Sequence, residues 1–215
     1  MQYMNLNLKK IVYLTTIVIF FLSGGLISAS ADTLAFNDLL EQLKNNEMIP
    51  RERGKVISFG EFEDEFGIMG HYQWFPIMNA ENFVLSANIS WLSSLPATNG
   101  SLAGCGFVFG SDPSGKDHLM ASVRMDGHVY LSGISGGNQL KFMEYFFGYP
   151  TIQGEVNFVL VVNGDKASTY INGERLGTRN ALAYYGDAIG FATLSGTNYQ
   201  FGTRCNWKDI YLYSW

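Results

Sequence analysis

The chain has 215 residues, with 14 Lys and Arg against 19 Asp and Glu for a net charge of −5; 47% of residues are hydrophobic and 15% aromatic. That length allows one domain with a sizeable core and is short for two. An acidic balance with no run of Lys or Arg argues against phosphate backbones and anionic lipid, so nucleic-acid binding is not expected.

The amino terminus begins with Lys9 and Lys10, continues in an apolar stretch from Ile11 to Leu22, and ends in the small residues Ala29-Ser30-Ala31. That is the order of a secretory signal peptide over residues 1–31, with cleavage before Asp32. An uncleaved anchor is the alternative, but the apolar run is short and is interrupted by Ser23, Gly24 and Gly25. The mature chain is expected to be secreted or held in the cell envelope, with no membrane attachment after cleavage.

Residues 32–54 read as an N-terminal helix and connector. Phe36, Leu39, Leu40 and Leu43 recur at the helical period, Asp38 with Glu41 makes a capping-box-like start, and Asn45-Asn46 and Pro50 end it. Such a short amphipathic helix either docks on the main body or serves as an arm for a protein partner.

From Lys55 to Trp215 the pattern is β. Phe83, Leu85, Ala87 and Ile89 alternate with polar residues, GFVF at 106–109 is a strand, and SDPSGKD at 111–117 is a turn. Leu119 to Met125 alternates up to the hairpin turn Asp126-Gly127, and the chain returns over His128 to Ser132. A Gly-rich loop and the aromatic stretch YFFGYP at 145–150 follow. Strands over Val156–Val162, Ala167–Ile171, Ala188–Leu194 and Thr203–Tyr213 complete the chain, with turns at Asn163-Gly164 and Asn172-Gly173. Short strands with Gly and Asn turns at this spacing indicate an all-β protein, an antiparallel β-sandwich or jelly roll over 55–215.

Each of the two cysteines, Cys105 and Cys205, opens an alternating apolar run, so both are expected to face one core. A disulfide between them would close a loop of about 100 residues, worth on the order of 4–5 kcal/mol; two buried thiols are the alternative.

The series GFVF, HVYL, VNFVLVVNGDKASTYINGERLG, GDAIGFATLSG and CNWKDIYLY resembles the concanavalin A-like lectin/glucanase superfamily, and within it the laminin-G-like jelly rolls. The resemblance covers residues 80–215, and 55–215 if the first β segment joins a sheet. It implies a concanavalin A-like jelly roll and, by analogy, carbohydrate binding. Members that hydrolyse β-glucans carry a strand of the type E-x-D-x-E, in which the outer Glu residues serve as nucleophile and acid/base. EFEDEF at 61–66 offers a comparable same-face row in Glu61, Glu63 and Glu65. It departs from that pattern with Glu63 at the centre, with Asp64 turned toward the core, and by lying ahead of the well-marked strands. An acidic solvated strand or turn is the reading preferred here.

Other chemistry is sparse. His71, His118 and His128 have no metal-ligand spacing, and no G-x-S-x-G, H-E-x-x-H or phosphate loop occurs. Asp112 and Asp117 flank a loop that could help hold Ca²⁺, although no D-x-D-x-D-G series accompanies them, so no cofactor is expected. Aromatic rings outside strand alternation suit the apolar faces of sugars. Tyr72 and Trp74 would share a face, Tyr145 to Tyr149 crowd what reads as one loop and Tyr184-Tyr185 precede a turn, which makes Trp74, Tyr145, Tyr149 and Tyr185 the candidate ligand-binding residues. The sequence thus reads as an exported, non-catalytic binding module, with glycan as its expected ligand. A glycoside hydrolase using Glu61, Glu63 and Glu65, or an extracellular protein-interaction domain, is the alternative.

Overall fold

The computed structural model describes residues 35–51, 54–94 and 99–215; the leader expected over 1–31 lies outside them. The described residues fall into two compact units that part after Asn45. The first holds a helix, α1, over 35–45, on which Phe36, Leu40 and Leu43 are buried and Leu39 is half-buried. No helix among the described residues is long and apolar enough to cross a membrane.

The second unit, Asn46–Trp215, is an antiparallel sandwich. Its strands are β1 (Lys55–Phe59), β2 (Phe62–Phe66), β3 (Tyr72–Asn79), β4 (Phe83–Ser93), β5 (Gly104–Ser111), β6 (His118–Arg124), β7 (His128–Ser135), β8 (Asn138–Phe146), β9 (Gln153–Asn163), β10 (Lys166–Ile171), β11 (Glu174–Arg179), β12 (Ala188–Leu194) and β13 (Thr203–Ser214). One sheet runs β1-β13-β4-β9-β10-β11, with β2 also paired to β13; the other runs β3-β12-β5-β6-β7-β8. The first β segment therefore does join a sheet. β1 pairs with Ile210–Ser214 and β2 with Thr203–Trp207, so the two lie end to end along β13, parted where Asp209 takes a positive φ of 48°.

Alternation sends one face of each strand inward. Phe83, Leu85 and Ile89 of β4, Phe158 and Leu160 of β9 and Trp207 of β13 meet Phe107 and Phe109 of β5, Leu119 of β6 and Phe191 of β12, all buried. Phe107 stacks on Phe158 at 5.1 Å between ring centroids, and Phe191 on Trp207 at 5.2 Å. Burying each such side chain contributes about 1.5–3 kcal/mol, which makes this layer the main source of stability. Within it, Cys105 of β5 is bonded to Cys205 of β13, joining the two sheets with Cα atoms 5.8 Å apart.

Two strands depart from the expected pattern. The stretch after Ser132 is not a loop: β7 continues to Ser135, Gly136-Gly137 turns, and β8 returns through Phe146. β11 likewise follows the Asn172-Gly173 turn, a strand absent from the sequence expectation. The connector over 46–51 packs on the sandwich, since Asn163 Nδ2 donates to Met48 O at 2.8 Å and the Tyr170 hydroxyl to Met48 Sδ at 3.0 Å.

This topology sorts the turns into two groups. Turns 80–82, 112–117, 136–137, 164–165 and 180–187 lie at one end of the sandwich. Turns 67–71, 125–127, 147–152, 172–173 and 195–202 lie at the other.

Candidate functional site

At the first end the turns are fastened to one another by backbone bonds. Tyr185 N and Gly186 N donate to Gly110 O at 3.0 and 3.1 Å, Ala80 N to Asp187 O at 2.8 Å, and Gly115 N to Asp112 O at 3.0 Å. Asn82 Oδ1 accepts from Gly164 N at 2.7 Å. Gly110 has φ +61°, and its lack of a side chain leaves room for the Tyr184 ring, which packs on Phe109 at 6.2 Å.

Two adjoining clefts open between these turns. The first, about 480 Å³, is bounded by the 80–82 turn, Phe109 and Gly164 on one side and Tyr184, Tyr185 and Asp187 on the other. The second, about 510 Å³, lies between Trp74, Pro76 and Asn79 and the loop Asp112–Gly115, and it shares Asp187 with the first. Trp74 therefore lines one cleft and Tyr185 the other, although the two are far apart in sequence, and Asp187 lines both. Tyr185 is 38% exposed. Trp74 is half-buried; it covers an apolar cluster of Val108, Met120 and Ala192, and an added Cβ at Gly115 would come within 3.3 Å of its ring.

Behind Trp74, His118 is buried, accepts or donates at Nε2 with the Tyr72 hydroxyl at 3.0 Å, and has its ring 5.7 Å from that of Trp74. Burial holds the His118 pKa below its ordinary value, against the pull of Asp112 and Asp117, so the ring is neutral at pH 7. The Tyr184 hydroxyl is buried with no hydrogen-bond partner among the described residues, and burial pushes its pKa above the usual tyrosine range.

The other sequence candidates lie elsewhere. Tyr145 is not on a loop: it sits on β8, opposite Val129, and its half-buried ring packs on the core and against Gly177 of β11, closing the gap between the two edge strands. Tyr149 is 86% exposed but lies at the opposite end. Asp112 is occupied within its own loop, accepting from Ser114 Oγ at 2.5 Å and Asp117 N at 3.2 Å, while Asp117 accepts from Gly136 N at 2.8 Å. Among the described residues no group of three or more His, Cys, Asp or Glu side chains is placed to hold a metal ion.

Glu63 and Glu65 lie on the outer face of β2 and Glu61 immediately precedes it, with Phe62 turned into the core against Phe191 and Trp207. Each carboxylate meets a base or amide of β13. Glu61 accepts from Asn206 at 2.6 Å and pairs with Lys208 at 3.1 Å, Glu63 lies 3.7 Å from Arg204, and Glu65 pairs with Arg204. The hydrogen bonds from Asn206 and Lys208 hold the Glu61 carboxyl below its ordinary value, the reverse of what a proton donor needs. Asp64, which the pattern turns inward, accepts two hydrogen bonds from Gln73 Nε2 at 2.7 and 2.9 Å. A shallow cleft of about 510 Å³ borders the row, lined by Glu63, Ser90, Gln153, Glu155, Arg204 and Asn206. Its one aromatic side chain, Trp91, is buried.

Asp187, Asn79 and Asn82 complete the end clefts and were not singled out from sequence. The signal was weak: each is an ordinary turn residue, and only the strand order brings them together.

No family model and no curated protein matches the chain. Among solved structures, the carbohydrate-binding module CBM66 from Bacillus subtilis aligns over 68% of this chain and 95% of its own, at 12% identity and a TM-score of 0.50. The A. japonicus protein CB05 aligns over 76% of this chain and 26% of its own, at 14% identity and a TM-score of 0.51. These likenesses show the fold, a concanavalin A-like jelly-roll sandwich.

Proposed function

We propose that this chain is an exported, non-catalytic carbohydrate-binding module whose binding site is the pair of clefts around Asp187. The observation that carries the reading is that Trp74 of β3 and Tyr185 of the 180–187 turn each line one of two adjoining clefts that share Asp187, with that turn held by backbone bonds to Gly110. Clefts lined by a flat apolar ring together with carboxylate and amide residues suit a sugar, whose ring offers C–H faces and equatorial hydroxyls. The Bacillus subtilis carbohydrate-binding module, aligned over nearly its whole length, supports the same reading. Export is supported by the signal-like leader and by a disulfide in the core, a bond that oxidising compartments preserve. The ion-paired state of Glu61, Glu63 and Glu65 supports binding without cleavage.

A glycan-array screen of the chain from Asp32 onward tests this. Binding to neutral glycans is expected, with Trp74→Ala and Tyr185→Ala each weakening it about tenfold, in line with about 1–1.5 kcal/mol for a stacked ring. An array without a hit, or hits indifferent to both substitutions, would overturn the assignment.

A further inference from the structure

The loop joining β8 to β9, at the end away from the clefts, is held on both sides. Phe147 N and Gly148 N donate to Gly127 O at 2.9 and 3.3 Å, Thr151 N to Met125 O at 2.9 Å, and Ser93 N to Ile152 O at 2.8 Å. Trp91 Nε1 reaches Thr151 O at 3.3 Å. Gly127, at φ +84°, permits this approach, because any side chain there would run into the carbonyl of Gly148.

On this fixed loop Tyr149 is 86% exposed and Phe146, at the end of β8, is 58% exposed. Their rings meet edge to face at 6.2 Å, and Phe146 meets His128 in the same manner at 5.4 Å. Rings this open do not plug the sandwich. Polar groups border them on the outer face of β7 and β8. The Tyr130 hydroxyl lies 2.8 Å from an Asp126 carboxylate oxygen and 2.9 Å from one of Glu144, which share its single proton, and Glu144 pairs with Lys141 at 2.5 Å. His128 Nδ1 is buried without a hydrogen bond, 3.5 Å from Asp126 Oδ1.

We propose that Phe146 and Tyr149 form a second saccharide-binding surface, so that the module holds one glycan chain at each end and bridges two. The inference rests on the carbohydrate-binding function proposed above. The chemistry points to a neutral sugar. A wholly buried aromatic side chain accounts for about 150–250 Å², and Phe146 and Tyr149 are 58% and 86% exposed, so together they offer enough for one or two sugar rings and well short of the roughly 800 Å² per partner of a standard protein interface. The acidic chain repels anionic lipid. Glu144 and Lys141, paired with each other and partly exposed, have lone pairs and N–H groups left over for sugar hydroxyls.

Calorimetry and turbidity with four neutral polysaccharides (a β-glucan, a levan, a xylan and a galactan) test it. The native module is expected to cloud the polysaccharide it binds. Phe146→Ala with Tyr149→Ala should abolish clouding and halve the number of sites while binding persists. Trp74→Ala with Tyr185→Ala should do the same from the other end, and all four together should abolish binding. All these rings are partly or largely open, and thermal melting shows whether each variant folds. If Phe146→Ala with Tyr149→Ala leaves site number and clouding unchanged while the other pair removes binding, the second surface is overturned and the clefts stand. If only Phe146→Ala with Tyr149→Ala removes binding, this surface is the sugar site but the module holds one chain, which overturns both the bridge and the cleft assignment. If the native module binds none of the four, both inferences fall.

Discussion

Replacing Cys105 and Cys205 together by Ala should cost more stability than any surface change in this chain. The bridge joins β5 of one sheet to β13 of the other across 100 residues, and both cysteines are fully buried. Closing a loop of that length in the unfolded chain is worth about 4.7 kcal/mol in the chain-entropy treatment. For a domain of this size each kcal/mol moves the melting temperature by about 2–4 °C, so a fall on the order of 10–20 °C is expected. Burial adds a kinetic consequence: a thiol reductant reaches the bridge only when the sheets open, so native protein should resist reduction that urea makes fast. Urea unfolding of the oxidised protein and the double-alanine variant, followed by tryptophan fluorescence, gives the difference directly. A loss below about 1 kcal/mol would refute the reasoning, because it would mean that the unfolded chain gains little freedom when the link is absent.

Three further outcomes follow from the same structure. The Glu61 carboxyl should titrate below its ordinary value of 4.5, and Lys208→Ala should move it back up, as read by carboxyl NMR. Because the folded value is the lower one, its stabilising effect is present above pH 4.5 and fades as pH falls through the folded value; a midpoint at or above 4.5 would contradict the assigned partners. Tyr72, Tyr130, Tyr170 and Tyr184 all have pKa values raised above 10.0, chiefly by burial. The folded state therefore keeps protons that the unfolded chain sheds, and stability should decline as pH rises past 10, less steeply in Tyr184→Phe; a flat profile from urea melts up to pH 11 would count against it. Gly127→Ala should lose about 1–3 kcal/mol, from a positive φ and the clash with Gly148, and a neutral result in the same melts would mean that the 147–152 loop is not held as described.

What could be read from the sequence was the inner layer. β4, β5, β6 and β9 place apolar side chains at every second residue because that face meets the opposite sheet, a pattern that persists even in β5 and β6, which are buried on both faces. β8 and β11 escaped notice because they are edge strands with mostly open side chains, NQLKFMEYF and ERLGTR, held by pairing to one neighbour. The same omission misplaced Tyr145: once β8 is a strand, alternation with Met143 turns its ring inward. EFEDEF was legible as a same-face row, yet its partners Arg204, Asn206 and Lys208 are distant in sequence, so the ion pairing was not. Trp74 could be marked as a ring sharing a face with Tyr72, and Tyr185 as a ring before a turn. That their clefts share Asp187 depends on β3 and β5 flanking β12, a long-range pairing that no local pattern encodes.

The most direct measurement incubates the module with each glycan it binds and assays for new reducing ends, using native protein alongside Glu61→Gln, Glu63→Gln and Glu65→Gln. Saturable binding with no reducing ends released, unchanged in the three variants, is the predicted result. Release of reducing sugar that disappears in Glu65→Gln would contradict the account, since it would make the ion-paired row on β2 an active site.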